Sequence, residues 1–131
     1  MAGRAKVLIC DDESDFLEVL AAQLQAEGYE VSAVGNGKEA IRRVRESPPD
    51  IVFLDVRMPE MDGIQTLRQI RKISRTVPVV MLTANYRDEI SFTAADELGS
   101  FGFFPKAGSA QDLIAVIQAN LRSNERRSTQ D

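Results

Sequence analysis

The order of apolar and polar stretches in this 131-residue chain predicts an α/β fold: a doubly wound sheet of five parallel strands, each followed by a helix. Two observations predict it. Three short apolar runs, Val7–Cys10, Ile51–Leu54 and Val79–Leu82, are rich in β-branched residues and bounded by polar or turn residues. That is the pattern of strands buried on both faces. Around them, apolar residues recur at helical spacing, and strands alternating with helices imply a parallel sheet with right-handed crossovers.

The first helix starts near Ser14 and stops at Gly28, with Phe16, Leu20 and Leu24 at four-residue spacing and Leu17 and Ala21 on the same face. Gly28 suits the left-handed residue that ends many helices. Glu30–Val34 is a weaker strand, broken by Ser32 as befits a sheet edge. The helix Gly37–Glu46 carries Ala40, Ile41 and Val44 and ends before Pro48 and Pro49. After Ile51–Leu54 comes a Pro-containing turn, then a helix over Gly63–Ile73 with Ile64, Leu67 and Ile70. Val79–Leu82 leads to a helix over Asp88–Leu98, stopped by Gly99. Phe101–Phe104, interrupted by Gly102, is the other edge strand, and the last helix spans Ser109–Leu121 with Leu113, Ile114, Ile117 and Leu121. The polar end, RSNERRSTQD, reads as a frayed tail or the start of a linker. One domain therefore occupies 1–122, followed by a tail over 123–131.

Composition narrows the function. Hydrophobic residues at 44% and charged residues at 27% are ordinary for a folded soluble domain. A net charge of −4 argues against nucleic-acid binding by this domain. There is no histidine, so His-dependent triads and His-ligated metals are excluded. The lone Cys10 ends an apolar run and reads as a small buried hydrophobe. The leading MAGRAK opens onto only four apolar residues, short of a signal sequence or membrane span, and a cytoplasmic protein is expected.

Chemistry concentrates at the strand ends. In open α/β sheets, ligands bind beyond the carboxyl ends of the strands where the strand order reverses. With the order 2-1-3-4-5, that crevice lies between the first and third strands. Asp11, Asp12 and Glu13 sit past the first strand and Asp55 past the third. Such carboxylates repel one another unless a cation joins them, and oxygen-only ligands suit Mg²⁺. Thr83 ends the fourth strand, followed by Ala84, and Lys106 follows the fifth after Pro105. A hydroxyl, an ammonium and a metal-binding acid cluster suit a phosphoryl group, with Asp55 as its natural acceptor.

Asp11-Asp12-Glu13, Asp55 with Met58-Pro59 and Asp62-Gly63, Thr83-Ala84 and Lys106 together resemble the receiver domain of two-component response regulators, over roughly residues 5 to 122. The resemblance implies a flavodoxin-like (βα)5 fold and a phosphoacceptor switch rather than a turnover enzyme. In such a switch Asp55 accepts a phosphoryl group from a histidine kinase or phosphotransfer protein. Asp12, Asp55 and the backbone carbonyl of Arg57 ligate Mg²⁺, and Asp11 acts through water. Lys106 and Thr83 hold the phosphoryl oxygens. Phe103 turns inward with Thr83, altering the surface of the last two helices and the fifth strand for a downstream target, an output domain or a homodimer. Arg57 and Asn85 stand where the family tunes phosphate lifetime.

Three departures from the family pattern stand out. Ala107 replaces the usual proline after Lys106, and a cis bond there costs about 2.5–4 kcal/mol, so either a trans bond with a reshaped loop or a strained exception is expected. Pro105 stiffens the approach to the lysine. Ser100 and Phe101 replace small or polar residues, and Phe101, two residues before Phe103, extends an apolar patch. Rival readings fit less well. A haloacid-dehalogenase-type phosphatase needs a second aspartate where Arg57 stands, a flavodoxin's phosphate would be repelled by Asp11-Asp12-Glu13, and no Gly-rich turn follows the first strand. The remaining alternative is a degenerate receiver that signals by binding alone.

Overall fold

The computed structural model describes residues 4–84 and 89–130, without the side chains of 89–92 and 122–130. Elements alternate as expected: β1 (Lys6–Cys10), α1 (Ser14–Ala26), β2 (Glu30–Val34), α2 (Gly37–Glu46), β3 (Ile51–Asp55), α3 (Gly63–Ile73), β4 (Val79–Thr83), α4 (Glu89–Glu97), β5 (Phe103–Pro105) and α5 (Ala110–Gln130). The five strands form one parallel sheet in the order β2-β1-β3-β4-β5.

Alternation along each strand divides the core. Leu8, Cys10, Val52, Leu54, Val79 and Met81 meet residues of α2, α3 and α4 on one face. Val7, Ile9, Ile51, Phe53, Val80 and Leu82 meet those of α1 and α5 on the other. Because both faces are covered, β3 and β4 are buried at every position, which is why their sequences read as unbroken apolar runs.

Local chemistry sets the element ends. Gly28 and Gly99 take positive φ, 97° and 75°, after α1 and α4. The Asn36 side chain accepts the Glu39 N–H at 2.9 Å to cap α2. Asp62 and Gln65 form a reciprocal capping box at the start of α3. At the other end of α3, the Arg71 guanidinium donates to the carbonyls of Leu98 (2.8 Å), Val77 (2.8 Å), Gly99 (3.1 Å) and Ser74 (3.2 Å). One side chain thereby ties the end of α3, the approach to β4 and the exit of α4 together.

Two expectations shift. Phe101 N–H already bonds Val79 O at 2.8 Å, but Gly102 at φ 131° interrupts the extended backbone, so β5 begins at Phe103 rather than Phe101. The last helix extends past Leu121, to Gln130. Its final residues lack an apolar stripe yet include the good helix formers Glu125, Arg126 and Arg127. Asp88, the expected start of the fourth helix, lies outside the described residues, as does Asn85.

Candidate functional site

Hydrogen bonding extends past the ends of the apolar strands at the carboxyl rim and fixes the polar residues there. Asp11 N–H bonds Val34 O at 3.1 Å, prolonging the β1–β2 ladder by one residue. Asp55 pairs with Leu82 as the last residue of β3. Thr83 closes β4, and its carbonyl accepts the Lys106 N–H at 2.9 Å. Backbone pairing thus delivers Asp11, Asp55, Thr83 and Lys106 to one rim. Side-chain preference alone would not do so, because Asp11 and Asp55 are 0% and 4% exposed, and buried carboxylates are costly.

Oxygens of Asp11, Asp12 and Asp55 all lie within 4.8 Å of one another. Asp11 Oδ1 accepts the Glu13 N–H at 3.0 Å, and Asp55 Oδ1 accepts the Arg57 N–H at 3.4 Å. Lys106 Nζ stands 2.8 Å from Asp11 Oδ2 and 3.8 Å from Asp55 Oδ2, and it bonds the Glu13 carboxylate. Burial, reinforced by Asp11, pushes the Asp55 carboxyl up to about 7, against the pull of Lys106 and the Arg57 N–H. For Lys106, burial works to lower the ammonium's pKa, but its bonds to Asp11 and Glu13 outweigh that and raise it. The crevice still holds more carboxylate than ammonium. An all-oxygen donor set of this spacing and charge fits a hard divalent cation such as Mg²⁺.

Two loops frame the crevice by close approach. In the loop after β3, Glu60 has φ 67° and the Met61 N–H bonds Pro59 O at 2.8 Å, a γ-turn. The loop closes where Gly63 N–H meets Val56 O at 2.9 Å. A Cβ on Gly63 would lie 2.1 Å from the Asp55 carbonyl oxygen, so only glycine lets α3 start against the Asp55 backbone. On the other side, Lys106 and Ala107 occupy a turn closed by the Gly108 N–H to Pro105 O at 2.9 Å. No cis peptide bond occurs among the described residues, so of the two expected geometries the Lys106–Ala107 bond takes the trans one. The reshaped turn nonetheless brings the ammonium to the acids.

Phe103 is half-buried against the core on the α2–α4 face. Phe101 is 45% exposed and shares a shallow groove with Phe103, Asp96, Ser100 and Gly102. Cys10 is buried, its thiol pushed up to about 12 by burial first and then by Asp11, Asp55 and Asp12. Sequence reasoning missed Phe16 as a neighbour of the site: its ring centroid lies 4.9 Å from Lys106 Nζ. The available signal was its position one helical turn after Glu13.

Residues 7–118 match the family model of the response regulator receiver domain. The chain belongs to that family. A transcriptional regulatory protein of Haemophilus influenzae, a CpxR homolog, is 43% identical over 118 residues, which is 90% of this chain but 51% of the relative. The receiver thus spans about half the length of that curated relative. Among solved structures, the CheY-like receiver from Methanospirillum hungatei superposes with TM-score 0.90 at 22% identity over 95% of this chain and 99% of its own, a likeness of fold. Chemotaxis protein CheY4 of Vibrio cholerae gives TM-score 0.84 at 28% identity, over 89% of this chain and 98% of its own. Receiver domains of two-component systems bind Mg²⁺ through an acidic pocket, and the Asp11, Asp12 and Asp55 cluster has that character. Among the described residues, no helix is long and apolar enough to cross a membrane.

Proposed function

We propose that this receiver is a phosphoryl switch with Asp55 as its acceptor. The supporting observation is the convergence of three carboxylates within 4.8 Å beside the Lys106 ammonium at the carboxyl rim. An Asp55 carboxylate oxygen attacks phosphorus on the phosphohistidine of a kinase or phosphotransfer protein. The bond from phosphorus to the donor nitrogen breaks, and the electron pair leaves with the imidazole. Asp12, Asp55 and the Arg57 carbonyl would hold Mg²⁺, with Asp11 acting through water; the ion supplies charge that offsets the acids and the arriving phosphoryl oxygens.

Lys106 draws toward the new oxygens, the Thr83 hydroxyl donates to one of them, and Phe103 follows Thr83. The face of α4, β5 and α5, with Phe101 at its edge, then presents a different surface to a target, an output domain or a second copy. The matched relative extends beyond the shared segment and is a transcriptional regulatory protein, which supports an output domain as one partner. The switching unit is residues 1–122, with 123–131 as tail or linker, acting in the cytoplasm as a phosphoacceptor rather than a turnover enzyme.

Intact mass after incubation with a small acyl-phosphate donor and Mg²⁺ tests this. A single phosphoryl adduct is expected, absent without metal and absent in Asp55→Asn. An unlabelled wild type that also fails to bind beryllofluoride would instead favour a receiver that signals by binding alone.

A further inference from the structure

Glu13 occupies the N-cap position of α1, yet its side chain makes no capping hydrogen bond. The residues that cap well from this position are the short Ser, Thr, Asp and Asn, so the longer glutamate arm is free to reach elsewhere. Here the carboxylate turns to Lys106 instead, although Glu13 is largely exposed and water could solvate it. Phe16, on the same helix, presents its ring 4.9 Å from the same ammonium, a favourable cation–aromatic contact. Lys106 is therefore drawn to the α1 side of the crevice, closer to Asp11 at 2.8 Å than to Asp55 at 3.8 Å.

We propose that Glu13 is a positioning residue that competes with phosphoryl oxygens for Lys106. In the unmodified protein it holds the ammonium toward α1, and this contact weakens when the lysine closes on a group bound at Asp55. Asp11 is buried and anchored by the Glu13 N–H, so it stays with the crevice in both states, whereas the exposed Glu13 arm can release. The acid after the two metal-side aspartates thus sets how readily the lysine engages. This inference rests on the phosphoryl-switch reading above.

A double-mutant cycle tests it, with beryllofluoride and Mg²⁺ as the probe and affinity read from backbone amide NMR shifts. Glu13→Gln in the full chain is expected to bind beryllofluoride ~2- to 5-fold more tightly, the range of a partly exposed ion pair. In a Lys106→Met background the same change has no effect. An equal gain in both backgrounds would mean that Glu13 acts only as a distant negative charge, and no gain in either would mean that it does not restrain the lysine; both results overturn the proposal. Glu13→Asp, which keeps the charge but shortens the arm, is expected to behave like Glu13→Gln. If wild type binds no beryllofluoride, the phosphoryl-switch reading fails. The restraint is then read alone from the Lys106 side-chain ammonium signal in metal-free protein, which is expected to be sharp in wild type and broadened in Glu13→Gln. An identical signal in the two proteins overturns the restraint.

Discussion

Two cations, one at each end of the sheet, sit in opposite environments. Arg71, at the amino rim, donates to four backbone carbonyls from three segments. Lys106, at the carboxyl rim, faces Asp11, Glu13 and Asp55. Burial lowers the Arg71 pKa, whereas the acids around Lys106 raise its pKa in spite of burial. The Arg71 node spends its charge on the ends of helices and loops, where carbonyls would otherwise lack partners. The Lys106 rim concentrates like charges that repel unless a cation joins them. One rim holds the fold together, and the other stores the imbalance that a switch can use.

Breaking each rim should therefore move stability in opposite directions. Arg71→Met leaves several carbonyls without donors and is expected to lower stability by about 2–4 kcal/mol, read as a lower urea midpoint. Asp55→Asn should raise that midpoint in metal-free buffer, by on the order of 1–3 kcal/mol. The sign follows from the Asp55 carboxyl, raised from 3.8 to about 7: burial penalises its charged form. The gain is absent below the lower value, grows between the two and is constant above the higher one. A midpoint that falls in both variants would erase the contrast between the rims.

Gly63→Ala sharpens the comparison at the boundary of the carboxyl rim. Its Cβ would meet the Asp55 carbonyl at 2.1 Å, so α3 or the Asp55 backbone must shift, at a cost of about 1–3 kcal/mol. Labelling at Asp55 should slow as well, measured by the rate of adduct formation. The smallest effect is expected at Cys10, which lies beneath the acids with its thiol pushed up to about 12. A thiol reagent should leave native Cys10 unmodified and label it on unfolding. Rapid labelling of the native protein would mean that the rim opens far more than its packing suggests.

The carboxyl rim was legible in the sequence because a charge that ends a buried strand is conspicuous. Asp11, Asp55 and Thr83 each follow an apolar run, and the strand order alone brings them together. Arg71 was invisible for the opposite reason: its partners are carbonyls, which every residue carries, and an arginine in a helix's last turn looks like ordinary solvation. Lys106 was legible, but its turn was not, because the trans Lys106–Ala107 bond and the Gly108 closure depend on backbone geometry. Gly102 concealed the start of β5 by breaking a run of phenylalanines that otherwise reads as extended. The length of α5 escaped because residues beyond Leu121 follow no apolar period, and helix propensity carries little pattern. Glu13 was visible as one of three acids, but its turn toward Lys106 was not.

The central claim is that the imbalance at the carboxyl rim is discharged on Asp55. Its most direct test is chemical trapping: label the protein with a small acyl-phosphate donor and Mg²⁺, reduce with borohydride, digest, and sequence the peptides by mass spectrometry. An aspartyl phosphate is reduced to homoserine, so the account predicts homoserine at position 55 and nowhere else. Homoserine at position 11 or 12, or a phosphoryl adduct that survives reduction on another side chain, would contradict it.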